Sequence, residues 1–214
     1  MTTTLPTAAI LLAAGAGTRL GRGPKALLPY GPRGGRPLIE QLTAVLLDAG
    51  CDRVVVVLGA EADRVRAEAR LDGDARVTTV VNDSWATGMA SSFRAGVAAA
   101  LDTDGTREPT ARVVVAHVDQ PGVRPGDVAL LLAEHRPGRV TASAWTGATV
   151  DGSLPRWSHP LVLAPGLARL AAASAAGDSG ARSFLRAHTD LIDVVTHPGD
   201  GRDVDTPADL DLLT

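Results

Sequence analysis

The sequence has a single cysteine, no long apolar run and no excess of basic charge. One cysteine among 214 residues, Cys51, excludes an internal disulfide and a cysteine-based metal site. The apolar runs, such as residues 7–16, stop well short of the roughly 20 residues that a membrane-spanning helix needs. The formal net charge of −3 does not suit a nucleic-acid-binding surface. Residues 1–6 carry no positive charge, so we expect no secretion signal and a cytoplasmic protein. From the short apolar runs and the net charge, we expect partners that are neither membranes nor nucleic acids.

Lysine is also nearly absent, since Lys25 is the only lysine among 21 basic residues. An arginine side chain is a planar fork, whereas a lysine ammonium group is a compact charge that approaches a phosphate along one line. Lys25 lies in a glycine-rich stretch, residues 15–35, and this position makes it a candidate phosphate ligand.

Short apolar runs alternate with segments of helical periodicity along most of the chain. Runs that are apolar throughout are typical of strands covered on both faces, so the pattern predicts one α/β domain with a mostly parallel sheet. The predicted strands are residues 8–13, 54–58, 77–81, 112–118, 140–144 and 191–195. The predicted helices are residues 38–48, 61–71, 89–101, 125–134, 165–173, 179–187 and 207–213. Residues 146–160, rich in glycine and proline, break this rhythm and favour a loop or a hairpin.

In open α/β sheets, ligands bind at the carboxyl ends of the strands, and the loop after the first predicted strand has the chemistry of an anion site. Gly15 and Gly17 allow backbone N–H groups to approach a phosphate, and Arg19 and Lys25 add positive charge. A dinucleotide fingerprint, G-x-G-x-x-G, fails because Leu20 stands where its third glycine belongs. No Gly-Lys-Ser/Thr follows, so a P-loop also fails, and a flexible surface loop remains the structural alternative.

Polar residues follow two further predicted strands. Asn82 can read a base edge or a ribose hydroxyl, and Gly88 and Ser92 stand at a helix start where free N–H groups suit a nucleotide; an Asn turn with a capping serine is the alternative. Asp119 directly follows a buried strand, where a carboxylate is costly unless it is paired or bound to a cation such as Mg²⁺. A turn or capping aspartate is the alternative there. His117 lies two residues earlier, and we interpret it as a core histidine.

Taken together, these motifs resemble the signature of the MobA-like nucleotidyltransferases, and most closely the branch of molybdenum cofactor cytidylyltransferases. The resemblance rests on residues 12–25, 37–40, 82–92, 119–121, 159–160, 177–182 and 203–210, which occur in family order. It implies a Rossmann-like three-layer α/β/α fold in a single domain, with residues 1–125 binding the nucleotide and residues 126–214 binding the acceptor. It also implies Mg²⁺-dependent transfer of CMP from CTP to the phosphate of a pterin cofactor, with a molybdoenzyme or an insertion chaperone as a further partner.

The resemblance also implies roles for individual residues. Catalysis is assigned to Lys25, Arg19 and Asp119, and metal binding to Asp119 and Asp205. Nucleotide binding is assigned to Leu12, Ala13, Ala14, Gly15, Gly17, Lys25, Asn82, Gly88 and Ser92. Acceptor binding is assigned to His159 and Asp178. For Asp205, a solvated acidic turn is an equal alternative.

Three alternative functions stay open from the sequence. The acceptor of a nucleotidyltransferase could be a sugar phosphate or a phospholactate-like molecule, with the segment 150–160 shaping its site. An NAD(P)H-dependent oxidoreductase is a different class, against which the missing third glycine argues. A non-catalytic cofactor carrier is the third, and the presence of both Lys25 and Asp119 argues against it.

Overall fold

The apolar runs form a single sheet, in a computed structural model that describes residues 5–32, 35–102, 108–148, 157–199 and 201–214. Its strands are β1 (Thr7–Leu12), β2 (Arg53–Leu58), β3 (Val77–Val81), β4 (Arg112–His117), β5 (Val140–Trp145), β6 (Ser158–Leu163) and β7 (Ile192–His197). The α-helices are α1 (Leu38–Asp48), α2 (Ala62–Glu68), α3 (Met89–Leu101), α4 (Pro125–Glu134), α5 (Pro165–Ser174) and α6 (Arg182–Ala187).

The strand order is β3-β2-β1-β4-β6-β5-β7. Strands β3, β2, β1 and β4 are parallel neighbours, β6 runs antiparallel between β4 and β5, and β7 is parallel to β5. Helices cover both faces: α1 packs on one side through Leu38, Leu42 and Leu46, and α3 packs on the other through Phe93 and Val97. The prediction of an α/β fold with a mostly parallel sheet is therefore confirmed.

Strand β6 is the main departure from the sequence prediction, which had a loop or a hairpin over residues 146–160 and no separate strand between it and the helix predicted from residue 165. Residues 149–156 of that segment lie outside the described residues. Strand β6 begins at Ser158 and pairs with β5 across a register shift between Ala142 and Ser143. Pro160 lacks a backbone N–H, and a position beside such an irregularity is where a sheet tolerates proline.

The remaining elements differ from the prediction mainly at their ends. Helix α2 ends at Glu68, and α6 begins at Arg182 after a short 3₁₀ turn, Gly177–Ser179. The final segment, Pro207–Leu213, is a helix with the predicted bounds and is of the 3₁₀ type. Among the described residues, every helix is too short or too polar to cross a bilayer. Because β1 and β4 are parallel neighbours, the loops that follow them lie at one edge of the sheet.

Candidate active site

The loop after β1 turns back on itself before the chain reaches Lys25. Gly17, Gly21 and Gly23 all have positive φ angles, and a Cβ on Gly17 would overlap the carbonyl oxygen of Gly23. Only glycine fits at position 17, because a side chain there meets backbone that cannot turn away. The loop then enters a 3₁₀ turn, Lys25–Leu27, whose first residue points its side chain toward the end of β4.

The Lys25 ammonium group contacts two carboxylates that are distant in sequence. Its Nζ atom donates to Asp119 Oδ2 at 2.8 Å and to Asp205 Oδ1 at 2.5 Å. Arg19 donates to the same Asp205 oxygen at 3.0 Å, but its side chain is 73% exposed, compared with 14% for Lys25. The structure thus brings together Lys25, Asp119 and Asp205, with Arg19 at the solvent edge.

The electrostatics of this cluster keep Lys25 charged. Burial by itself lowers the pKa of Lys25, but the charge of Asp119 and the hydrogen bonds to Asp119 and Asp205 outweigh it and raise the pKa above its usual value. Partial desolvation, followed by the charge of Asp119, raises the pKa of Asp203 to about 6. The second oxygen of Asp119, Oδ1, is buried and has no hydrogen-bond partner among the described residues.

A cleft of about 330 Å³ opens beside this cluster. Nine of the predicted site residues line it, namely Leu12, Ala14, Gly15, Gly17, Lys25, Gly88, Ser92, Asp119 and Asp178. Ala13, Arg19, Asn82, Asp205 and His159 are not among the residues that line it. A larger cavity of about 420 Å³ lies at the strand starts, beside Thr7 and Asp52, and contains none of the predicted residues.

The side chain of Asn82 forms hydrogen bonds with neighbouring residues of the protein. Its Nδ2 group donates to the hydroxyls of Ser91 and Ser92 at 2.8 and 2.9 Å, and its Oδ1 atom accepts the N–H of Ser84. The side chain is buried, so its hydrogen-bonding groups hold the loop after β3 to the start of α3. The structure therefore places Asn82 behind the cleft wall, in the Asn turn that the sequence left as the alternative.

The cleft also contains residues that the sequence interpretation missed. His117 was interpreted as a core residue, yet its side chain lines the cleft and its ring lies 4.0 Å, centroid to centroid, from that of His159. Burial lowers the pKa of both imidazoles, so both are neutral at pH 7. Trp85 packs against Gly59 and lines the cleft as well. Alternation along β4 was the available signal for His117, because it puts His117 and Asp119 on one face.

The donors available to a metal ion here are carboxylates. No group of three or more His, Cys, Asp or Glu side chains in the described residues forms a ready-made metal site. Asp119 and Asp205 each accept a hydrogen bond from the Lys25 ammonium group. The Oδ1 atom of Asp119 has no hydrogen-bond partner among the described residues and is available to a further cation. One or two carboxylates completed by phosphate oxygens form the coordination that Mg²⁺ usually adopts in nucleotide sites.

The geometry does not reproduce a dinucleotide fingerprint. In that motif the pyrophosphate sits at the N-terminus of a helix that directly follows the first strand. Here the described part of the loop after β1 contains only the turn at Lys25 before α1 begins at Leu38. The acidic residue after β2, Glu61, pairs with Arg64 at 2.9 Å and does not line the cleft.

The chain is similar to several known proteins. Residues 9–192 match the family model of the MobA-like NTP transferase domain. The chain is 45% identical to nicotine blue oxidoreductase of Paenarthrobacter nicotinovorans over 199 residues, which cover 92% of this chain and 91% of the relative.

Among solved structures, Rv0371c of Mycobacterium tuberculosis H37Rv superposes with a TM-score of 0.76 at 25% identity, over 98% of this chain and 97% of that one. A second structure of Rv0371c is a complex with manganese, with a TM-score of 0.72 at 25% identity, over 97% of this chain and 98% of that one. A nucleotidyl transferase from Methanothermobacter, Mth528, superposes with a TM-score of 0.78 at 23% identity, over 97% of this chain and 96% of that one; at that identity it shows the fold alone.

Proposed function

The chain belongs to the family of MobA-like NTP transferase domains, which makes it a nucleotidyltransferase, and from that premise we propose that it moves CMP from CTP to the phosphate of molybdopterin cofactor with release of pyrophosphate. The observation that carries the proposal is the contact of the Lys25 ammonium group with Asp119 and Asp205 beside a glycine-rich loop. Lys25 and Asp119 line a cleft large enough for part of a nucleotide, so positive charge and carboxylate oxygens are available there.

A divalent ion fits the carboxylate end of the cleft. Asp119 and Asp205 would hold Mg²⁺, and the buried, unpartnered Oδ1 of Asp119 supports this assignment. When bound, the ion would offset the negative charge of the triphosphate. The manganese in Rv0371c is consistent with a divalent ion at such a site.

The chain's own residues then account for alignment and charge. Gly15 and Gly17 line the cleft and carry no side chain, so a phosphate could approach the backbone there, as an anion-binding loop requires. Lys25 and Arg19 would neutralise the charge that builds on the departing pyrophosphate. An acceptor phosphate monoester has a second pKa of about 6, so it is mostly dianionic at pH 7 and needs no general base. Burial lowers the pKa of His117 and of His159 and makes both imidazoles weak proton acceptors, which suits a transfer that needs no general base.

The acceptor lies, in this proposal, on the side of Asp178 and His159. Asp178 lines the cleft, and the His159 ring contacts the ring of His117, which lines it as well. The nucleotide base preference is for CTP, because Ala13-Ala14 and Pro24-Lys25 resemble the cytidylyl branch and not the guanylyl branch. The product would pass to a molybdoenzyme or an insertion chaperone.

The test is a transfer assay with α-³²P-labelled nucleotides and molybdopterin cofactor. We expect label from CTP to appear on the pterin together with stoichiometric pyrophosphate, and only in the presence of Mg²⁺. Parallel reactions with labelled GTP and with a sugar phosphate as acceptor serve as controls. Transfer from GTP and not from CTP would contradict the base assignment, and transfer only to the sugar phosphate would contradict the acceptor.

A second candidate is an NAD(P)H-dependent oxidoreductase, because a relative that is 45% identical over nearly its whole length bears an oxidoreductase name. The loop after β1 and the position of Glu61 do not supply the usual contacts for a dinucleotide. Oxidation of NADPH with nicotine blue as electron acceptor, followed at 340 nm, separates the two. Turnover of NADPH without transfer from CTP would establish the second candidate.

A further inference from the structure

The loop that carries Asp205 is seated against the last residue of β5, Trp145. The Trp145 side chain is buried, and a Cβ added to Gly201 would overlap its indole. A Cβ added to Gly199 would lie 3.7 Å from the same ring system. The indole thus packs directly on the backbone of this loop at two glycines, a close approach that any larger residue at position 201 would prevent.

Trp145 also contacts the acceptor side of the site. Its indole N–H donates to the carbonyl oxygen of His159 at 3.3 Å. Its ring lies 5.1 Å, centroid to centroid, from that of His197, the last residue of β7. One buried side chain therefore joins the end of β7, the following loop and the start of β6.

The same loop is fixed to the end of β4 by two further contacts. The N–H of Val204 donates to the carbonyl oxygen of Asp119 at 2.8 Å. The side-chain amide of Gln120 donates to the carbonyl oxygen of Gly201 at 3.3 Å. Asp205 comes directly after Val204, so the distance between the Asp119 and Asp205 carboxylates depends on how firmly the loop is held.

We propose that Trp145 is a positioning residue for Asp205. By packing on Gly199 and Gly201, the indole sets the path of the loop so that the Asp205 carboxylate meets Lys25 and faces Asp119. The inference rests on the proposed function for its metal ion, because the two carboxylates must be held at a fixed separation to share one divalent cation. Sequence position alone does not reveal this role, since residue 145 is 60 positions from Asp205.

The experiment measures Mn²⁺ binding in the presence of CTP, by the loss of the free-ion electron paramagnetic resonance signal beyond the loss that CTP alone causes. We expect Trp145→Leu to raise the Mn²⁺ dissociation constant by about tenfold, as is typical when a supporting contact behind a metal ligand is removed. Trp145→Phe keeps a flat ring against the two glycines, and we expect it to recover most of the affinity. Gly201→Ala should weaken Mn²⁺ binding like Trp145→Leu, because it pushes the loop off the indole.

A matched control separates positioning from general destabilisation. Leu46 is buried in α1, on an element that contributes no residue to the cleft. Leu46→Ala should lower the unfolding midpoint at least as much as Trp145→Leu and leave the Mn²⁺ dissociation constant within about twofold. Steady-state kinetics should show the half-saturating Mg²⁺ concentration rising in Trp145→Leu, while the KM for CTP measured at saturating Mg²⁺ stays nearly unchanged.

The possible failures are distinguishable. A wild-type protein that binds no Mn²⁺ with CTP would overturn both the proposed function and this inference. A wild-type protein that binds Mn²⁺, with equal affinity in Trp145→Leu and Gly201→Ala, would overturn the role of Trp145 and leave the proposed function standing. An equal loss of Mn²⁺ affinity in Leu46→Ala would also overturn the role of Trp145, because it would show that Trp145 acts only by stabilising the core.

Discussion

At the scale of single residues, the Lys25 ammonium group balances two carboxylates in a partly desolvated place. The side chains of Lys25, Asp119 and Asp205 are 14%, 21% and 30% exposed, so solvent screens their interactions only in part. If Lys25 is removed, two like charges lie near each other, and Arg19, at the solvent edge, is the ion-pair partner that remains to them within the described part of the chain. Lys25 therefore supports the folded site as well as the proposed transfer step.

We predict that Lys25→Ala or Asp119→Ala lowers turnover with CTP by on the order of 100-fold or more, since each removes a preorganised charge contact. The loss should fall more on turnover than on nucleotide binding, because charge on the pyrophosphate grows in the transition state. The measurement is steady-state pyrophosphate release. Arg64→Ala, which breaks the surface ion pairs with Glu61 and Glu68, is the charge-matched control and should retain full activity. Near-normal rates in either site variant would remove that residue from the mechanism.

Cys51 offers a second prediction at this scale. It is 2% exposed, and burial, followed by the charge of Asp52, raises the pKa of its thiol to about 12. The thiolate is the reactive form, so we expect native protein at pH 8 to react with 5,5′-dithiobis(2-nitrobenzoate) at a small fraction of the rate seen in guanidinium chloride. Rapid stoichiometric labelling of the native protein would show that the Cys51 region opens readily.

At the scale of elements, the start of α3 meets the 3₁₀ turn Gly177–Ser179. Gly88 caps α3 with a φ angle of +114°, and a Cβ there would lie 2.5 Å from the carbonyl carbon of Gly177 and 2.8 Å from Asp178 Oδ1. This contact closes one wall of the cleft, where Gly88 and Asp178 stand together. The nucleotide-binding and acceptor-binding halves that we propose meet at this point.

We predict that Gly88→Ala destabilises the protein by roughly 1–3 kcal/mol, from overpacking together with backbone strain. Gly126→Ala is the matched control, because nothing lies within 4 Å of a Cβ at that helical position. That variant should be neutral or slightly stabilising. Urea unfolding at pH 7 measures both changes, and equal stabilities of the two variants would contradict the close contact at Gly88.

The elements that sequence periodicity predicts well are those with uniform patterns. Helices α1, α3 and α4 and strand β3 have the predicted bounds. Strand β6 escaped prediction because Pro155 and Pro160 flank its start, and the sheet accommodates Pro160 through an irregularity that only the paired strand creates. The final helix also has the predicted bounds, but its 3₁₀ type could not be predicted, because periodicity alone does not separate a 3₁₀ helix from an α-helix over seven residues.

The predictability of the site follows the same division. Lys25 and Asp119 could be placed at one edge of the sheet, because the loops of parallel strands meet there. The contact between His117 and His159 could not be predicted, since it needs β6 beside β4. The commitment of Asn82 to Ser91 and Ser92 depends on the exact approach of α3 to the end of β3, which residue types alone do not fix.

At the scale of the whole molecule, neutral histidines make the fold sensitive to acid. Burial, followed by the charge of Arg112, lowers the pKa of His135 to about 4, and burial also lowers the pKa values of His159 and His197. In the unfolded chain these side chains take up protons as the pH falls through about 6.5. The unfolded state then binds more protons than the folded state, so the free energy of unfolding decreases as the pH is lowered through this range.

We predict that the free energy of unfolding decreases from pH 7 to pH 5, and that His135→Gln removes part of the decrease, on the order of 1 kcal/mol after allowing for the exposure of the ring. The loss belonging to His135 should be complete near pH 4, where its folded form also becomes protonated. Urea unfolding at several pH values provides the measurement. An identical pH dependence in His135→Gln would contradict the assignment.

We propose that one cleft holds a nucleoside triphosphate between the glycine-rich loop with Lys25 and a divalent ion on Asp119. Isothermal titration calorimetry with CTP and with NADPH, each with and without Mg²⁺, tests it most directly. We expect CTP to bind only with Mg²⁺, with an affinity at least about tenfold weaker in Asp119→Ala, and we expect no heat from NADPH. Tight, metal-independent binding of NADPH, with no binding of CTP, would contradict the account.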